Sequence, residues 1–155
     1  MVKLGDKVPD FEGVLTSGEK LNSKNLLGKW TVLFFFPKAF TPGCTNEVCS
    51  INDNIENLKK LGVEIFGISK DKLSTQKKFK EKYNLKYELI ADESGDIIRS
   101  FGISKKTGSA ERKTFIINSE GKVVYIFEKV DIKNHGKEIE KALHLLLGSR
   151  SSTSG

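Results

Sequence analysis

The sequence predicts a single α/β domain built around a mostly parallel β-sheet. Its first half alternates short apolar runs with segments in which apolar residues recur every three or four positions, the pattern of strands alternating with helices. Its second half contains two apolar runs separated by four turn-forming residues, followed by a segment with helical apolar spacing. A chain of 155 residues can bury most of its apolar surface in one such domain without a metal or a disulfide.

The first strands are predicted from turn residues and from one apolar run. Ser17 and Gly18 lie between short apolar patches, so residues 11–30 are predicted to form a β-hairpin followed by a short helix or turn. Residues 31–36 are a continuous run of β-branched and aromatic side chains that Pro37 closes. Such a run is typical of a strand buried on both faces at the centre of a sheet.

Two helices and two further strands follow this central strand. The helices are predicted from apolar residues at steps of three and four over positions 48–61 and 73–83, and the strands are residues 63–68 and 87–90. Gly62 ends the first helix. The β-α-β-α-β order implies that these strands pair in parallel through right-handed crossovers.

The remaining elements complete the layout of a thioredoxin-like fold. After a short helical segment at 97–101, residues 114–117 and 123–127 are strands that a turn joins into a β-hairpin. A terminal amphipathic helix is predicted from its apolar positions, Ile139, Leu143, Leu146 and Leu147. We therefore predict one domain over residues 1–147 and interpret residues 148–155, rich in Ser and Gly, as a disordered tail or a remnant of cloning.

Charge and hydropathy narrow the classes of function. The formal net charge of +6 at pH 7 would suit nucleic acid, but the 26 basic residues are spread along the chain among 20 acidic ones, which favours a solvated surface. No apolar run is long enough for a membrane span or a signal peptide. We therefore expect a cytoplasmic protein with no membrane or nucleic-acid partner, whose two cysteines are reactive or incidental rather than a structural bridge.

Cys44 lies where the central strand passes into the first helix. Pro42 suits the first helical position and Thr41 the N-cap, so Cys44 would be the third residue of the first turn. Unpaired backbone N–H groups and the positive end of the helix dipole favour a thiolate there. Because open α/β sheets bind ligands at the carboxyl ends of their strands, we expect Cys44 to line a pocket as a nucleophile. The alternative is an inert, buried side chain.

Cys49 follows five residues later and cannot bridge Cys44 while the helix is intact. Five residues of α-helix turn about 140° and separate two Cα atoms by about 8.7 Å. A disulfide requires Cα atoms within about 7 Å of each other. A bond between the two thiols therefore requires the start of the helix to unwind. The alternative is that Cys49 is an ordinary, partly exposed helix residue.

The spacing Pro37-x-x-x-Thr41-x-x-Cys44 resembles the active-site signature of the peroxiredoxins. The segment Thr-Pro-Gly-Cys-Thr-x-Glu, with a second cysteine five residues after the first, is similar to the bacterioferritin-comigratory branch of that family. The resemblance covers about residues 3–147 and includes the segments 67–71 and 112–118.

This resemblance implies a thioredoxin-like fold with an N-terminal β-hairpin extension and a thiol-dependent peroxidase that reduces hydrogen peroxide and alkyl hydroperoxides. Cys44 would attack the O–O bond and become a sulfenic acid, and Cys49 would convert that acid to an intramolecular disulfide. A thioredoxin-like donor would then reduce the disulfide. No cofactor or metal is implied, and a resolving cysteine in the same chain suits a monomer or a weak homodimer.

Three further side chains match active-site positions of the family. Attack on a peroxide requires the substrate to be held in line and the departing oxygen to be stabilised by fixed donors. Thr41 and Arg112 would perform these tasks, and Pro37 would shield the thiolate from water. Taken alone, Thr41 could be only a helix cap and Arg112 only a surface residue. The chain departs from the family's common residues at Ile51-Asn52, where an aromatic residue and Arg are frequent, and at Gln76, where His is frequent.

Other functions are compatible with parts of this pattern. A disulfide reductase or isomerase would share the fold, but such enzymes have two cysteines separated by only two residues. A cysteine hydrolase would need an imidazole, and the only histidines, His135 and His144, belong to the region of the terminal helix. Together with the two cysteines they have no recognised metal-ligand spacing. A Lys-rich nucleic-acid binder or chaperone is the non-enzymatic alternative.

Overall fold

The computed structural model describes residues 1–154, with side chains to residue 148. Within these residues seven strands form one sheet in the order β2-β1-β5-β4-β3-β6-β7. The strands are β1 (Glu12–Leu15), β2 (Lys20–Asn22), β3 (Trp30–Phe35), β4 (Val63–Ser69), β5 (Glu88–Ala91), β6 (Lys113–Ile117) and β7 (Val123–Phe127). The helices are α1 (Pro42–Asp53), α2 (Ile55–Lys60), α3 (Leu73–Lys82), α4 (Asp96–Ser100) and α5 (His135–Ser154), with a 3₁₀ helix at Ser23–Leu26.

β3 lies near the centre of the sheet because its side chains are apolar on both faces. Val32 and Phe34 belong to the core on one face, and Leu33 and Phe35 to the core on the other, all of them fully buried. β3 pairs in parallel with β4, and β4 in parallel with β5. The three parallel strands of the sequence prediction are confirmed.

The helices cover the two faces of the sheet unequally. One core contains apolar side chains from α1, α2, α3 and α5, such as Val48, Leu58, Phe79 and Ile139. The crossovers from β3 to β4 and from β4 to β5 advance in the same direction, so right-handed connections place α1, α2 and α3 on the same face. The other core is closed by α4 and the N-terminal segment.

The predicted helix over residues 48–61 is in fact two helices, separated at Asn54. Asn54 has φ −107° and ψ 7°, and its side-chain amide donates to the Ser50 carbonyl at 3.1 Å. The Asn52 side chain donates to the Asn84 carbonyl and accepts from the Lys86 amide, at 3.1 and 2.8 Å. Asn side chains compete in this way with the backbone bonds of a helix, which the apolar periodicity of the sequence does not reveal.

The predicted N-terminal hairpin is present and is part of the main sheet. β1 pairs antiparallel with β2 and also with β5, so the hairpin extends the sheet at one edge. Most of the predicted tail, residues 148–155, lies outside the residues whose side chains are described, and that prediction stays untested. In the part of the chain that the structure describes, no helix is both long and apolar enough to cross a membrane.

Candidate active site

The structure places Cys44 in the first turn of α1, just beyond the carboxyl end of β3. Thr41 is the N-cap and Pro42 the first helical residue, as the sequence predicts. The helix's hydrogen bonding begins with Thr45 N–H donating to the Thr41 carbonyl at 2.9 Å, so the Cys44 amide precedes the bonded ladder. The Cys44 side chain is fully buried against the same core as Val48.

Arg112 reaches Cys44 through the pairing of β3 with β6. Phe35 at the end of β3 lies opposite Lys113 at the start of β6. This pairing brings Arg112, the residue before Lys113, beside α1. The Arg112 Nη2 donates to Cys44 Sγ at 3.4 Å. The neighbouring residue, Gly43, leaves room for the guanidinium, since a Cβ there would lie 3.3 Å from Nη2. The guanidinium therefore places a permanent cation and a hydrogen-bond donor against the sulfur.

Glu47 is a site residue that the sequence reasoning missed. It follows Cys44 by three residues, which places both side chains on the same face of α1. The Glu47 side chain is fully buried, and its Oε1 accepts a short hydrogen bond from Arg112 Nη1. The other carboxylate oxygen has no partner among the described residues. Arg112 therefore bridges Cys44 and Glu47, and the signal available in the sequence was a carboxylate on the apolar face of a helix, which requires a cation.

Glu47 makes the stability of this site depend on pH. Burial raises the pKa of Glu47 from 4.5 to about 7, against the opposing influence of Arg112. The folded chain therefore holds a proton that the unfolded chain releases between these two values. The contribution of this proton to the free energy of unfolding is complete below pH 4.5 and is lost as the pH rises through about 7.

We expect Glu47→Gln to remove this pH dependence. Between pH 4.5 and 7 the free energy of unfolding of the wild type should fall relative to the variant, by on the order of 3 kcal/mol. Urea unfolding of both proteins under reducing conditions, at a series of pH values, measures the difference. Parallel pH profiles would show that this carboxyl group does not titrate in the range.

Thr41 is the N-cap of α1 by backbone position, but its side chain caps no helix amide. Its hydroxyl donates instead to the Lys38 carbonyl at 2.7 Å. The oxygen lone pairs are then left to accept a hydrogen bond from a ligand. The alternative that this side chain only caps the helix does not agree with the structure. Pro37 is half-buried just after β3, and its shielding role stays a prediction.

Cys49 lies in the same continuous helix as Cys44, and both cysteines are free. The Cys49 side chain on α1 is half-buried. Burial and the negative charge of Asp53 raise the pKa of the Cys49 thiol. In this conformation the thiol is therefore kept in its protonated, less nucleophilic form.

The two histidines are occupied elsewhere, as the sequence suggests. His135 is fully buried, and its ring nitrogens contact the Thr114 hydroxyl at 2.7 Å and the Glu138 carboxylate at 2.8 Å. His144 is exposed and lies 3.5 Å from Glu140. Neither arrangement supports a cysteine hydrolase. Among the described residues, no three His, Cys, Asp or Glu side chains come together as a metal site.

Comparison with known proteins shows that this fold and site belong to the class of thiol peroxidases. The model of the AhpC/TSA family matches residues 4–126. The chain is 35% identical over 149 residues to the peroxiredoxin Bcp of Bacillus subtilis, covering 92% of this chain and 95% of that protein. The chain belongs to the AhpC/TSA family, and the enzyme is a peroxiredoxin that uses peroxides and a thiol reductant.

Solved structures agree with this assignment over nearly the whole chain. The peroxidoxin BcpB of Mycobacterium tuberculosis superposes with a TM-score of 0.86 at 31% identity, over 94% of this chain and 98% of that one. The bacterioferritin comigratory protein of Xanthomonas campestris superposes with a TM-score of 0.84 at 28% identity, over 94% and 97% of the two chains. That structure was solved to study the alkyl peroxide reduction activity of the Xanthomonas protein.

Proposed function

We propose that Cys44 is the thiol that attacks the peroxide and that Cys49 resolves the oxidised product. The observation that carries this assignment is the hydrogen bond from Arg112 Nη2 to Cys44 Sγ, 3.4 Å long, at the N-terminus of α1. The cation and the unbonded helix amides stabilise the thiolate before the reaction. The same donors lie where negative charge develops on the departing oxygen.

The oxidation step needs only groups that surround Cys44. The thiolate attacks one peroxide oxygen, the O–O bond breaks, and a hydroxyl group is transferred to sulfur. The departing alkoxide or hydroxide takes up a proton and leaves as an alcohol or water. Thr41 accepts a hydrogen bond from the bound peroxide, and Arg112 and the Cys44 amide stabilise the leaving oxygen. Because Cys44 is fully buried, entry of the peroxide requires a small displacement of the loop 37–41 or of Arg112, whose side chain is 25% exposed.

The resolving step requires the start of α1 to open. In the intact helix the two cysteine Cα atoms are separated by about 8.7 Å, beyond the reach of a disulfide. Opening also removes Cys49 from the surroundings that raise its pKa, so a larger fraction of this thiol becomes thiolate. That thiolate attacks the sulfenic sulfur of Cys44, hydroxide leaves as water, and an intramolecular disulfide forms.

The partners follow from this cycle. We propose a thioredoxin-like protein as the reductant of the disulfide, a cytoplasmic setting, and no requirement for nucleic acid or a membrane. Since the resolving cysteine is in the same chain, a monomer or weak homodimer is sufficient. The activity described for the Xanthomonas campestris protein supports alkyl hydroperoxides as substrates beside hydrogen peroxide.

We expect Cys49→Ser to react once with peroxide at the wild-type rate and then to turn over only slowly. Stopped-flow kinetics should show an unchanged first oxidation, because the surroundings of Cys44 are unaltered. Turnover with a thioredoxin-type donor should fall at least about tenfold, because the sulfenic acid has no second thiol in its own chain to condense with. Mass spectrometry should find one added oxygen in the variant and the loss of two hydrogens in the wild type. Full turnover of the variant would remove Cys49 from the mechanism.

A further inference from the structure

The loop between β3 and α1 carries a backbone conformation that its own sequence does not favour. Phe40 has φ +68°, in the left-handed region that bulky side chains rarely adopt. The next residue is Thr41, to which we assign the role of binding the peroxide. A conformation of this kind persists only when the surrounding structure holds it. The contacts of the loop 37–41 therefore show what determines the position of Thr41.

One contact is a hydrogen bond from the loop backbone to a carboxylate outside it. The Ala39 amide donates to Asp71 Oδ2 at 2.8 Å, and the Ala39 side chain is buried. The hydroxyl of Ser69, at the end of β4, donates to the same oxygen at 2.6 Å. A single carboxylate oxygen thus joins the active-site loop to the end of the neighbouring parallel strand.

Gln76 on α3 determines the direction of these bonds. It is fully buried, and its Nε2 donates to Ser69 Oγ at 2.8 Å and to the Ile90 carbonyl at 3.2 Å. The Ser69 hydroxyl gives its only proton to Asp71, so it must accept from Gln76. The bonds form one chain from β5 to the loop, which is buried at Gln76 and partly buried at Asp71.

The same helix holds the loop by a second contact. The Phe40 ring packs on Phe79, with the ring centroids 4.9 Å apart, and Lys82 lies 5.9 Å from the Phe40 ring centre. Phe79 follows Gln76 by three residues, so both side chains are on one face of α3. The loop is therefore held at its backbone by Asp71, which precedes α3, and at its exposed aromatic ring by Phe79 of α3.

From these contacts we infer that Asp71 is a positioning residue for peroxide reduction, supported by Ser69 and Gln76. Through the Ala39 amide it holds the loop so that the Thr41 hydroxyl and the Cys44 thiolate meet the peroxide together. The inference rests on the proposed function, in which Thr41 binds the peroxide and Cys44 attacks it. A misplacement of about 1 Å in such a group can lower a rate by about a hundredfold.

A matched pair of variants tests this role. Asp71→Asn keeps an oxygen that can accept from both Ala39 and Ser69, whereas Asp71→Ala removes it. We expect Asp71→Ala to slow the second-order oxidation of Cys44 by about 10- to 100-fold, and Asp71→Asn to stay within about threefold of the wild type. Alkylation of Cys44 by iodoacetamide needs a thiolate but no bound peroxide, so its rate should be similar in all three proteins.

The outcomes separate this inference from the proposed function. If wild-type Cys44 is not the site of peroxide oxidation, the proposed function fails. If the wild type reacts but Asp71→Ala is equally fast, or Asp71→Asn is as slow as Asp71→Ala, the positioning role is wrong. A parallel loss of alkylation rate would also overturn it, because the thiol itself would then be disturbed. If Asp71→Ala does not fold, Ser69→Ala decides, with slower oxidation supporting the role and a wild-type rate excluding it.

Discussion

Replacing Cys44 by serine is expected to reduce peroxide consumption to the uncatalysed background. A serine hydroxyl is not ionised near neutral pH and does not attack an O–O bond, so the Arg112 cation is left with no nucleophile to activate. The other thiol of the chain cannot replace it, since burial and Asp53 raise the pKa of Cys49. Stopped-flow measurements with hydrogen peroxide and an alkyl hydroperoxide, at equal protein concentrations, compare the two proteins.

The control for this variant is a test that it folds like the wild type. Serine differs from cysteine by one atom, and the core around residue 44 is otherwise unchanged. Circular dichroism and thermal unfolding should therefore remain close to those of the wild type. The Cys49 of the variant should react with peroxide no faster than free cysteine does. If Cys44→Ser consumed peroxide at the normal rate, another group would be the nucleophile and the mechanism would have to be abandoned.

The elements of the fold that depend on local pattern could be predicted from the sequence. A six-residue strand buried on both faces shows as an unbroken apolar run, and β3 is that strand. Parallel pairing of β3, β4 and β5 follows from the alternation of strands with helices. The register of β3 against β6 could not be predicted, because it is set by packing between distant segments. That register brings Arg112 to a thiol 68 positions earlier in the chain.

Local polar bonding accounts for what the sequence reasoning missed. The break at Asn54 depends on side-chain bonds to the Ser50 carbonyl, which apolar periodicity does not detect. Thr41 was expected either to cap the helix or to bind peroxide, and only the structure shows its hydroxyl bonded to Lys38. Glu47 was visible in the motif, but its burial and its bond to Arg112 are consequences of tertiary structure.

The signature could identify which side chains to examine without showing how they act together. The position at the start of a helix predicts Cys44 as the nucleophile, and the family resemblance adds the roles of Thr41 and Arg112. The structure brings Cys44 and Arg112 into direct contact. Asp71 lay in a matching segment, yet nothing in its spacing connected it with the loop amide that it binds. Residues that position other residues, as Asp71 does, are hard to identify from a single sequence. Their function depends on distances that only the folded chain defines.

Arg112→Met is expected to have an effect nearly as large as the loss of the nucleophile. Methionine has about the length of the arginine stem but carries no donor, so both the thiolate and the leaving oxygen lose a fixed cation. Removal of one such donor typically lowers a rate by about 10²- to 10³-fold. The oxidation rate of Arg112→Lys should lie between those of the wild type and Arg112→Met. A single ammonium group cannot replace the planar guanidinium, which reaches Cys44 and Glu47 together. Second-order rates of Cys44 oxidation measure the series.

The same substitution also leaves the Glu47 carboxyl buried without its partner, which should lower the free energy of unfolding by roughly 1–3 kcal/mol. Stability and catalysis can be separated by combining Arg112→Met with Glu47→Gln. The second change removes the buried charge, so stability should recover in part. The oxidation rate should stay low, because the donor to Cys44 Sγ is still absent. If the double variant regained peroxide reduction together with stability, Arg112 would be needed for folding alone and would have no part in breaking the O–O bond.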